Sequence, residues 1–546
     1  MDVTLLDRSN GMEATSRSTA TCVEPHTTAA GAWGEAKGCD VCAERHVTAP
    51  QRQLGERSVA IPVGRGVGGS ANVNAMLWSR GHPGVFDALP WPREWSYAHL
   101  EPHFSRVERL VGVRRVLPSV DTAMGSVLRG WFKHTASSLV HGGAYHVTHD
   151  EEGQRIRLED VLLHHATTCR GRLTLLRSAE VVRLAVSVSE DGTGSAVTGA
   201  VTTDGRELSP LGRGEVVLCA GALATPSILR ASGMLTLASP LLDHSFVPVL
   251  RLGPWWTKCS PPAQPSDRDC GNGAAATASS SSSSSSEVGS NGVHGLAYLD
   301  THSGSGIGGV SVVEEARVHT LAEPPHTQLV LVDGGNTASL AHDLLLPRWH
   351  HWVWARVARP LLGGALTLLL ALPPTQWLLG LVYGVLVCNV RPSPPPHLAT
   401  EGGAGDSAGD PGYNGCASDR ARTLAALQTT RAMLAAVPSP AWSVELLPGP
   451  LPLPLYMRLF TCTYYHPAGT CRMGSPEQAG RLLNAELRLL RAPAGTGTVA
   501  GLRVVDASVL PSLPTAPPAA TIMAVADRAA SLMLLELEGG QVGTER

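Results

Sequence analysis

One stretch of this chain, residues 215–233, constrains the fold more than any other. An apolar run at its start predicts a buried strand, and that strand leads directly into a turn at Ala220 and Gly221. Pro226 is predicted to open a helix that ends at Gly233, because proline is favoured in the first turn of a helix and glycine just past its end. A strand that turns tightly into a helix is typical of nucleotide-binding α/β sheets.

A glycine-rich run lies upstream, over residues 64–81. Gly68, Gly69 and Ser70 precede an apolar segment, which favours a loop at a helix N-terminus, where backbone N–H groups can face an anion. The run is a weak signal when taken alone, because glycine-rich loops form turns more often than phosphate sites. Whether this run forms a turn or a cofactor site depends on the other motifs of the chain.

The third distinctive stretch is Thr463–Gly474, which has His466 at its centre. A histidine changes charge near neutral pH, and a rigid backbone rich in proline and glycine can hold it in one position, as a general base requires. A histidine beside a proline is also common as a purely structural residue. The two interpretations are separated by whether other active-site motifs accompany it.

A fourth segment completes the set, and together the segments resemble the glucose–methanol–choline (GMC) flavin oxidoreductases in their order and approximate spacing, from residue 1 to residue 530. The segments that carry the resemblance are Gly64–Asp87, Val216–Gly233 and Tyr464–Gly474 with Val504–Ala530. Shorter segments between them are similar to further parts of that family. These segments are Arg172–Leu184, which resembles the strand that holds the flavin adenine, Leu242–His244, which resembles an Asp-His motif, and Asn389–Pro392 and Thr423–Ala436, which resemble a strand and a helix of the substrate domain.

The resemblance implies an α/β fold with a discontinuous FAD-binding, Rossmann-like domain and an α+β substrate domain built on an antiparallel sheet. The FAD-binding domain is expected to comprise residues 1–110, 155–255 and 495–546. The substrate-binding domain is expected to comprise residues 111–154 and 294–494. Two low-complexity stretches, 260–293 and 398–418, are expected to be disordered insertions, because their composition cannot form a packed core.

The resemblance also implies an enzyme that oxidises CH–OH groups with FAD. In the family reaction a histidine removes the hydroxyl proton of an alcohol while a hydride passes to flavin N5, and His466 matches the position of that base. Ten residues match positions that surround the cofactor, and no metal ligands are expected. They are Asp7 at the adenosine ribose, Gly68, Gly69, Ser70 and Asn74 along the flavin, Val181 at the adenine, Ala220 and Gly221 in close approach, and Asp506 and Ala507 beside the phosphates.

The chain departs from the family pattern at several points. The first strand and the glycine loop that should hold the pyrophosphate would lie before Met1, so we expect an N-terminally truncated sequence. The position of the usual second histidine or asparagine is Pro518, which offers the substrate oxygen no side-chain hydrogen bond. Val73 stands where some members attach the flavin covalently, so we expect non-covalent FAD. The connection from Gly233 to Asp243 is also shorter than usual.

Two alternatives to alcohol oxidation remain open. Some relatives are flavin-containing lyases, either hydroxynitrile lyases or fatty acid photodecarboxylases, and the segment Asp150–Arg157 is somewhat similar to that branch. The other alternative is a catalytically degenerate relative, which Pro518 and the missing first strand both suggest. Reduction of the flavin by substrate would separate these possibilities, since a lyase leaves the flavin oxidised.

Composition bears mainly on partners and compartment. The formal net charge of −3 over 546 residues does not favour nucleic-acid binding, and the expected partner is a small-molecule alcohol. Eleven scattered cysteines with a single CxxC, Cys39–Cys42, do not make a zinc ribbon and suggest a reducing, intracellular compartment. No signal peptide is visible at the start of the sequence, and the compartment is otherwise undetermined.

Residues 360–390 form a long stretch without charge. Pro373 and Pro374 divide it into two pieces that are each too short to span a bilayer, so we expect a buried helix followed by a buried strand. Membrane-surface contact is the less favoured alternative, and the same stretch leaves a hydrophobic substrate open.

Overall fold

The computed structural model is described for most of the chain, and the fold is given for those parts only. The described residues are 2–8, 43–116, 145–150, 155–168, 172–188, 195–212, 214–235, 239–253, 293–300, 311–314, 318–319, 321–333, 348–349, 358–393, 410–435, 442–478, 480–491 and 497–538. The α-helices in these ranges are α1 (Tyr97–Val111), α2 (Leu158–Thr168), α3 (Gly221–Ala231), α4 (Arg359–Ala371), α5 (Pro373–Gly380), α6 (Ala417–Ala435), α7 (Leu453–Phe460) and α8 (Ala519–Leu537).

The strands of the same ranges lie between these helices along the chain, often several in succession. They are β1 (Val3–Leu6), β2 (Ala43–Val47), β3 (Arg57–Ser58), β4 (Ala60–Gly64), β5 (Leu77–Trp78), β6 (Arg114–Val116), β7 (Tyr145–Val147), β8 (Leu173–Leu176), β9 (Val181–Val188), β10 (Ser195–Thr202), β11 (Glu207–Leu208), β12 (Val216–Leu218), β13 (Ser245–Leu252), β14 (Val293–Asp300), β15 (Ser311–Glu314), β16 (Thr327–Asp333), β17 (Arg348–Trp349), β18 (Val382–Asn389), β19 (Val444–Leu447), β20 (Cys462–Thr463) and β21 (Leu502–Val504).

Parallel strand pairs mark the α/β part of the molecule. β1 pairs with β8, and β12 pairs with β21, both in parallel, while β9, β10 and β11 form an antiparallel sheet. Ala196 of β10 bridges to Ala500, just ahead of β21, and thereby joins that sheet to the β12–β21 pair. The parallel pairs and the helices α3 and α8 confirm the predicted Rossmann-like part of the fold.

Two local features of this part follow from its strand pairing. Leu173–Leu176 pairs in parallel with β1, whereas the strand that follows, β9, is antiparallel to β10. β1 is not fully buried, because Val3 is 43% exposed.

An antiparallel sheet of seven strands forms the second part of the fold. Its order is β15–β14–β16–β18–β13–β19, and β20 also pairs with β13. Side chains alternate across the sheet, so Val385 of β18 packs with α6 and α7 on one face, whereas Leu386 and Cys388 pack with Tyr464 on the other. The second face therefore leads to the stretch that contains His466, and the sheet confirms the expected antiparallel α+β part.

Two segments pack across the domain boundaries expected from sequence, and the boundaries themselves stay a prediction. β13 falls within the expected FAD-binding residues 155–255, but it is a central strand of the seven-stranded sheet. Residues that follow His466 fall within the expected substrate-binding range, yet they pack in the core beside α1 and α8. These residues include Ala468, Cys471, Met473, Leu483, Leu487 and Leu489.

The uncharged stretch 360–390 is only partly as predicted. Its strand, β18, is buried along its whole length. The predicted buried helix is instead two helices, α4 and α5, divided at Pro373, and they expose large side chains, with Leu368 at 72% and Trp377 at 65%. Among the residues that the structure describes, no helix is both long enough and apolar enough to cross a bilayer.

The two expected insertions lie mostly outside the described residues. The structure does describe 410–418, the last part of the second insertion, and this part is packed rather than loose. Tyr413 is 4% exposed, and its backbone N–H donates to Gln51 Oε1 at 3.1 Å. This segment is held because a buried hydrogen-bonded tyrosine fixes it to the core, which composition alone does not reveal.

Candidate active site

His466 follows β20 and directly contacts a second histidine. Its Nδ1 lies 2.9 Å from Nδ1 of His244, the residue that enters β13, and the two rings cross at 82°. A hydrogen bond of this kind needs one donor and one acceptor, so the two Nδ1 atoms share one proton. The His466 ring is partly exposed, whereas His244 is fully buried. Nε2 of His466 is therefore the ring nitrogen that can serve an incoming substrate.

The environment of His244 keeps it neutral. Burial lowers the pKa of His244 to about 3. The backbone carbonyls of Val390 and Pro514 act more weakly in the opposite direction, and no described residue completes a hydrogen bond to His244 Nε2. At pH 7 the ring is thus an uncharged partner for His466.

Asp243 fixes the backbone of the His466 stretch. Its carboxylate accepts hydrogen bonds from the His466 N–H at 2.8 Å, from Thr463 Oγ1 at 2.5 Å and from the Tyr413 hydroxyl. Burial raises the pKa of Asp243 to about 6. Tyr465 has a φ of 67°, a conformation unusual for a residue with a side chain, and Thr463 Oγ1 also accepts from its N–H at 2.8 Å. These bonds hold the kink that turns His466 toward His244.

The next turn of the same stretch joins the α/β part. The Gly469 N–H donates to the Ala507 carbonyl at 3.0 Å. Thr470 Oγ1 donates at 2.5 Å to the Ala222 carbonyl in α3. Pro226, four residues after Ala222, has no N–H to donate to that carbonyl, so the threonine replaces a helix hydrogen bond. The stretch Thr463–Gly474 and α3 are therefore joined by this hydrogen bond.

The start of α3 differs from the prediction. The helix begins at Gly221, and Pro226 lies inside it rather than opening it. Asp506 explains the earlier start, because its carboxylate accepts from the Gly221 N–H at 2.8 Å and from Thr225 Oγ1 at 2.5 Å. The same carboxylate accepts from the Ser508 N–H at 2.7 Å. Asp506 is thus engaged by protein donors and holds the glycine turn, and its expected place beside the phosphates stays a prediction.

The glycine-rich run forms a tight loop and not the N-terminus of a long helix. Gly68 and Gly69 both have positive φ, at 97° and 52°, and only a short 3-10 helix, Gly69–Asn72, follows. Ser70 Oγ accepts from the Gly64 N–H at 3.2 Å. Asn74 Oδ1 accepts from the Met76 N–H at 3.0 Å. Both polar side chains therefore shape the loop.

Asp7 lies beside the segment that leads into Val181, and the expected roles of both residues at the adenosine stay a prediction. Asp7 is buried, follows β1, and accepts on its backbone carbonyl from the Ala179 N–H at 2.8 Å, two residues before Val181. Pro518 lies at the start of α8, where its carbonyl accepts from the Ile522 N–H at 2.9 Å. The predicted residues thus form connected groups: Asp7 with Val181, the loop Gly68–Asn74, and His466 with the turns at Gly221 and Ala507.

The space beside the two glycine turns fits a flat cofactor. A Cβ placed on Gly69 or on Gly221 would meet nothing within 4 Å. At Gly64, by contrast, a Cβ would lie 2.3 Å from the Gly69 carbonyl oxygen, so that glycine is required by the fold itself. Glycines that border open space are those against which a ligand can lie closely.

Three residues of this site were not predicted as functional from sequence. His244 and Asp243 were noted only as part of a family motif, and Arg155 only as part of a segment similar to the lyase branch. Arg155 donates to the backbone and side chain of Asn74. The signal that could have found Asp243 and His244 is their place directly before the strand that follows the second motif. Ionisable residues buried at the end of a strand are a frequent feature of active sites.

Comparisons with known proteins agree with this geometry. The family model described as GMC oxidoreductase matches residues 13–245 with its N-terminal part and residues 397–526 with its C-terminal part. An uncharacterised GMC-type oxidoreductase of Mycobacterium tuberculosis is 26% identical over 522 residues, which cover 89% of this chain and 88% of the relative. An oxygen-dependent choline dehydrogenase of Staphylococcus haemolyticus is 26% identical over 196 residues, which cover 31% of this chain and 33% of that protein.

Solved structures share the fold at lower identity. Pyridoxine 4-oxidase from Mesorbium loti superposes with a TM-score of 0.62 at 20% identity, covering 97% of this chain and 94% of that chain. A formate oxidase variant of Aspergillus oryzae RIB40 superposes with a TM-score of 0.64 at 17% identity, covering 98% and 94%. The family match, the glycine turns beside open space and the placement of His466 lead to one conclusion: this chain belongs to the GMC oxidoreductase family and is an FAD-binding flavoprotein.

Proposed function

We propose that this FAD-dependent oxidoreductase oxidises a CH–OH group of a small molecule, with His466 as the base. The observation that carries the proposal is the 2.9 Å contact between the Nδ1 atoms of His466 and His244. A base is effective when its proton position is fixed before the substrate arrives, and this contact can fix it. FAD, when bound, supplies the acceptor for the hydride that leaves the substrate carbon.

The proposed role requires one distribution of protons between the two histidines. A base that takes a proton on Nε2 carries its own proton on Nδ1, so Nδ1–H of His466 donates to Nδ1 of the neutral His244. This arrangement places the lone pair of His466 on Nε2, where it can take the hydroxyl proton.

The same hydrogen bond remains favourable after proton transfer. Once Nε2 has taken the proton, His466 is a cation that still donates from Nδ1 to the neutral His244. A hydrogen bond from a charged donor is about twice as strong as a neutral one. His244 therefore stabilises the charge that develops on His466, and no group has to reorient.

Residues of the α/β part would hold FAD without a covalent bond. Gly69 and Gly221 offer backbone surfaces beside open space, Gly68 turns the loop with its positive φ, and Asn74 completes it. Asp7 and Val181 lie where the adenosine end would rest. Ala220 and Ala507 flank the turn that Asp506 holds. The face of the seven-stranded sheet that carries Leu386 and Tyr464 would form the substrate side.

A direct test is substrate-driven reduction of the bound flavin. Purified protein carrying FAD should lose its flavin absorbance when it is mixed anaerobically with members of an alcohol panel of increasing chain length. Absorbance that persists with every alcohol, while the product of a bond cleavage accumulates, would indicate a lyase instead. A protein that takes up no FAD would contradict the proposal.

A further inference from the structure

Arg155 holds the glycine-rich loop from behind. Its Nη1 donates to the Ala71 carbonyl at 2.8 Å and to Asn74 Oδ1 at 2.6 Å, and its Nη2 donates to the Asn74 carbonyl at 2.7 Å. These bonds span the loop from the end of its glycines to its last polar residue. The planar guanidinium suits such a forked contact, which a lysine cannot reproduce.

The charge of Arg155 is not balanced by an acid in the part of the chain that the structure describes. All three of its hydrogen-bond acceptors are neutral, and burial alone shifts its pKa, downward to about 10. Arg155 therefore remains a cation at neutral pH. Arg157, two residues later, differs in this respect, because its Nη2 lies 3.3 Å from the carboxylate of Glu159.

A cation that is partly withdrawn from water without an anionic partner is costly for the fold. Proteins usually neutralise such a charge, unless a ligand supplies the missing negative charge. The loop that Arg155 holds borders open space at Gly69, on the path assigned above to the flavin. A two-electron reduction adds a hydride, H⁻, to the bound cofactor, and the cofactor thereby gains one negative charge.

We propose that Arg155 is a positioning residue whose positive charge, which no acid among the described residues balances, also favours the reduced form of the flavin bound along the loop Gly68–Asn74. The inference rests on the proposed course of the flavin along this loop. Two roles follow from the geometry. The forked hydrogen bonds fix the loop, and the charge shifts the redox equilibrium toward the form that carries the extra negative charge.

The test is the midpoint potential of the FAD-loaded protein, measured by dye equilibration with a chemical reductant. Arg155→Gln keeps donors but removes the charge, so its ratio of reduced to oxidised flavin should fall at least about tenfold, which corresponds to about 30 mV for a two-electron couple. Arg155→Lys keeps the charge and should stay close to the wild-type potential, while binding FAD more weakly because the fork is lost. Arg157→Gln is the matched control and should leave the potential unchanged.

The outcomes separate a charge effect from a structural one. Weaker FAD binding or a lower melting temperature in Arg155→Gln, with an unchanged potential, would overturn the proposed charge role. A tenfold shift in Arg155→Lys, which still carries the charge, would overturn it as well, and this variant remains informative if Arg155→Gln does not fold. The reductant is not an alcohol, so the result does not depend on whether the protein oxidises one.

Discussion

His244 matters at the scale of single residues because it is buried, neutral and in direct contact with His466. The sequence identified His466 as a base in need of a partner and found Pro518 where the family partner should be. The structure supplies a partner from another strand. Sequence spacing could not reveal it, because the two histidines are 222 positions apart and meet only after β13 and β20 have paired.

The role of His244 as acceptor leads to a prediction for paired variants. His244→Leu removes the acceptor and should lower kcat/KM for the best alcohol at least about tenfold, since a hydrogen bond to a charged donor contributes about 1.5–3 kcal/mol. His244→Asn places an amide oxygen near the position of Nδ1 and should recover part of the loss. Steady-state kinetics with FAD fully bound provides the measurement. Equal activity in His244→Leu and the wild type would contradict the assigned role.

The pKa shifts of Asp243 and His244 lead us to expect an unusual dependence of the free energy of unfolding on pH. Asp243 has its pKa raised from 3.8 to about 6, so its contribution to stability is present below pH 3.8 and is lost as pH rises through 6. His244 has its pKa lowered from 6.5 to about 3, so its contribution is present above pH 6.5 and is lost as pH falls through 3. The two effects oppose each other between about pH 4 and 6.

Replacement of Asp243 by Asn removes one of these opposing effects. Between pH 4 and 6 the free energy of unfolding of Asp243→Asn should rise relative to that of the wild type by about 2 kcal/mol, given 1.36 kcal/mol per unit of pKa shift. Denaturant titrations of both proteins at several pH values measure this difference. Parallel stability profiles for the two proteins would show that the Asp243 carboxyl does not titrate as described.

At the scale of elements, the resemblance to the GMC family implied the Rossmann-like part and the antiparallel sheet, and the apolar run and glycine turn of residues 215–233 predicted β12 and α3. The sequence misplaced the start of α3, because proline normally marks a first turn, whereas here tertiary contacts allow Pro226 inside the helix. Thr470 completes the helix at the carbonyl that Pro226 leaves without an N–H donor. Such compensation comes from a stretch more than two hundred residues away and leaves no local signal.

Thr470 should therefore contribute more to the free energy of unfolding than a buried threonine usually does. Thr470→Val keeps the shape but leaves the buried Ala222 carbonyl without this donor, which should cost about 1–3 kcal/mol of stability. Thr470→Ser keeps the hydroxyl and serves as the matched control. Thermal unfolding of the FAD-loaded proteins measures the difference. Identical melting temperatures for the valine and serine variants would mean that the bond contributes nothing.

The uncharged stretch shows why burial is harder to predict than element type. α4 exposes Leu368, whereas β16 buries Leu331 completely, although both residues lie in apolar runs. Leu331→Ala should destabilise the protein by about 2–5 kcal/mol, because it leaves a cavity in the core. Leu368→Ala should change stability by less than about 0.5 kcal/mol. A comparably large loss for Leu368→Ala in denaturant unfolding would show that α4 is covered in solution.

At the scale of the whole molecule, the stretch around His466 connects the two parts of the fold. The Tyr464 N–H donates to the His244 carbonyl at 2.8 Å on the side of the seven-stranded sheet, and the Gly469 N–H donates to Ala507 on the α/β side. The proposed base thus lies where a substrate held by the sheet would meet a cofactor held by the α/β part. The resemblance implied both parts, but the hydrogen bonds that join them at this stretch required the structure.

The most direct test of this account is anaerobic stopped-flow reduction of the FAD-loaded protein by its best alcohol substrate, compared between the wild type and His466→Ala. We expect the wild-type flavin to be reduced rapidly and the reduction in His466→Ala to be at least about 10²-fold slower, with FAD still bound and still reducible by dithionite. Added imidazole should restore part of the rate. Reduction of the flavin at the wild-type rate in His466→Ala would contradict the assignment of His466 as the base.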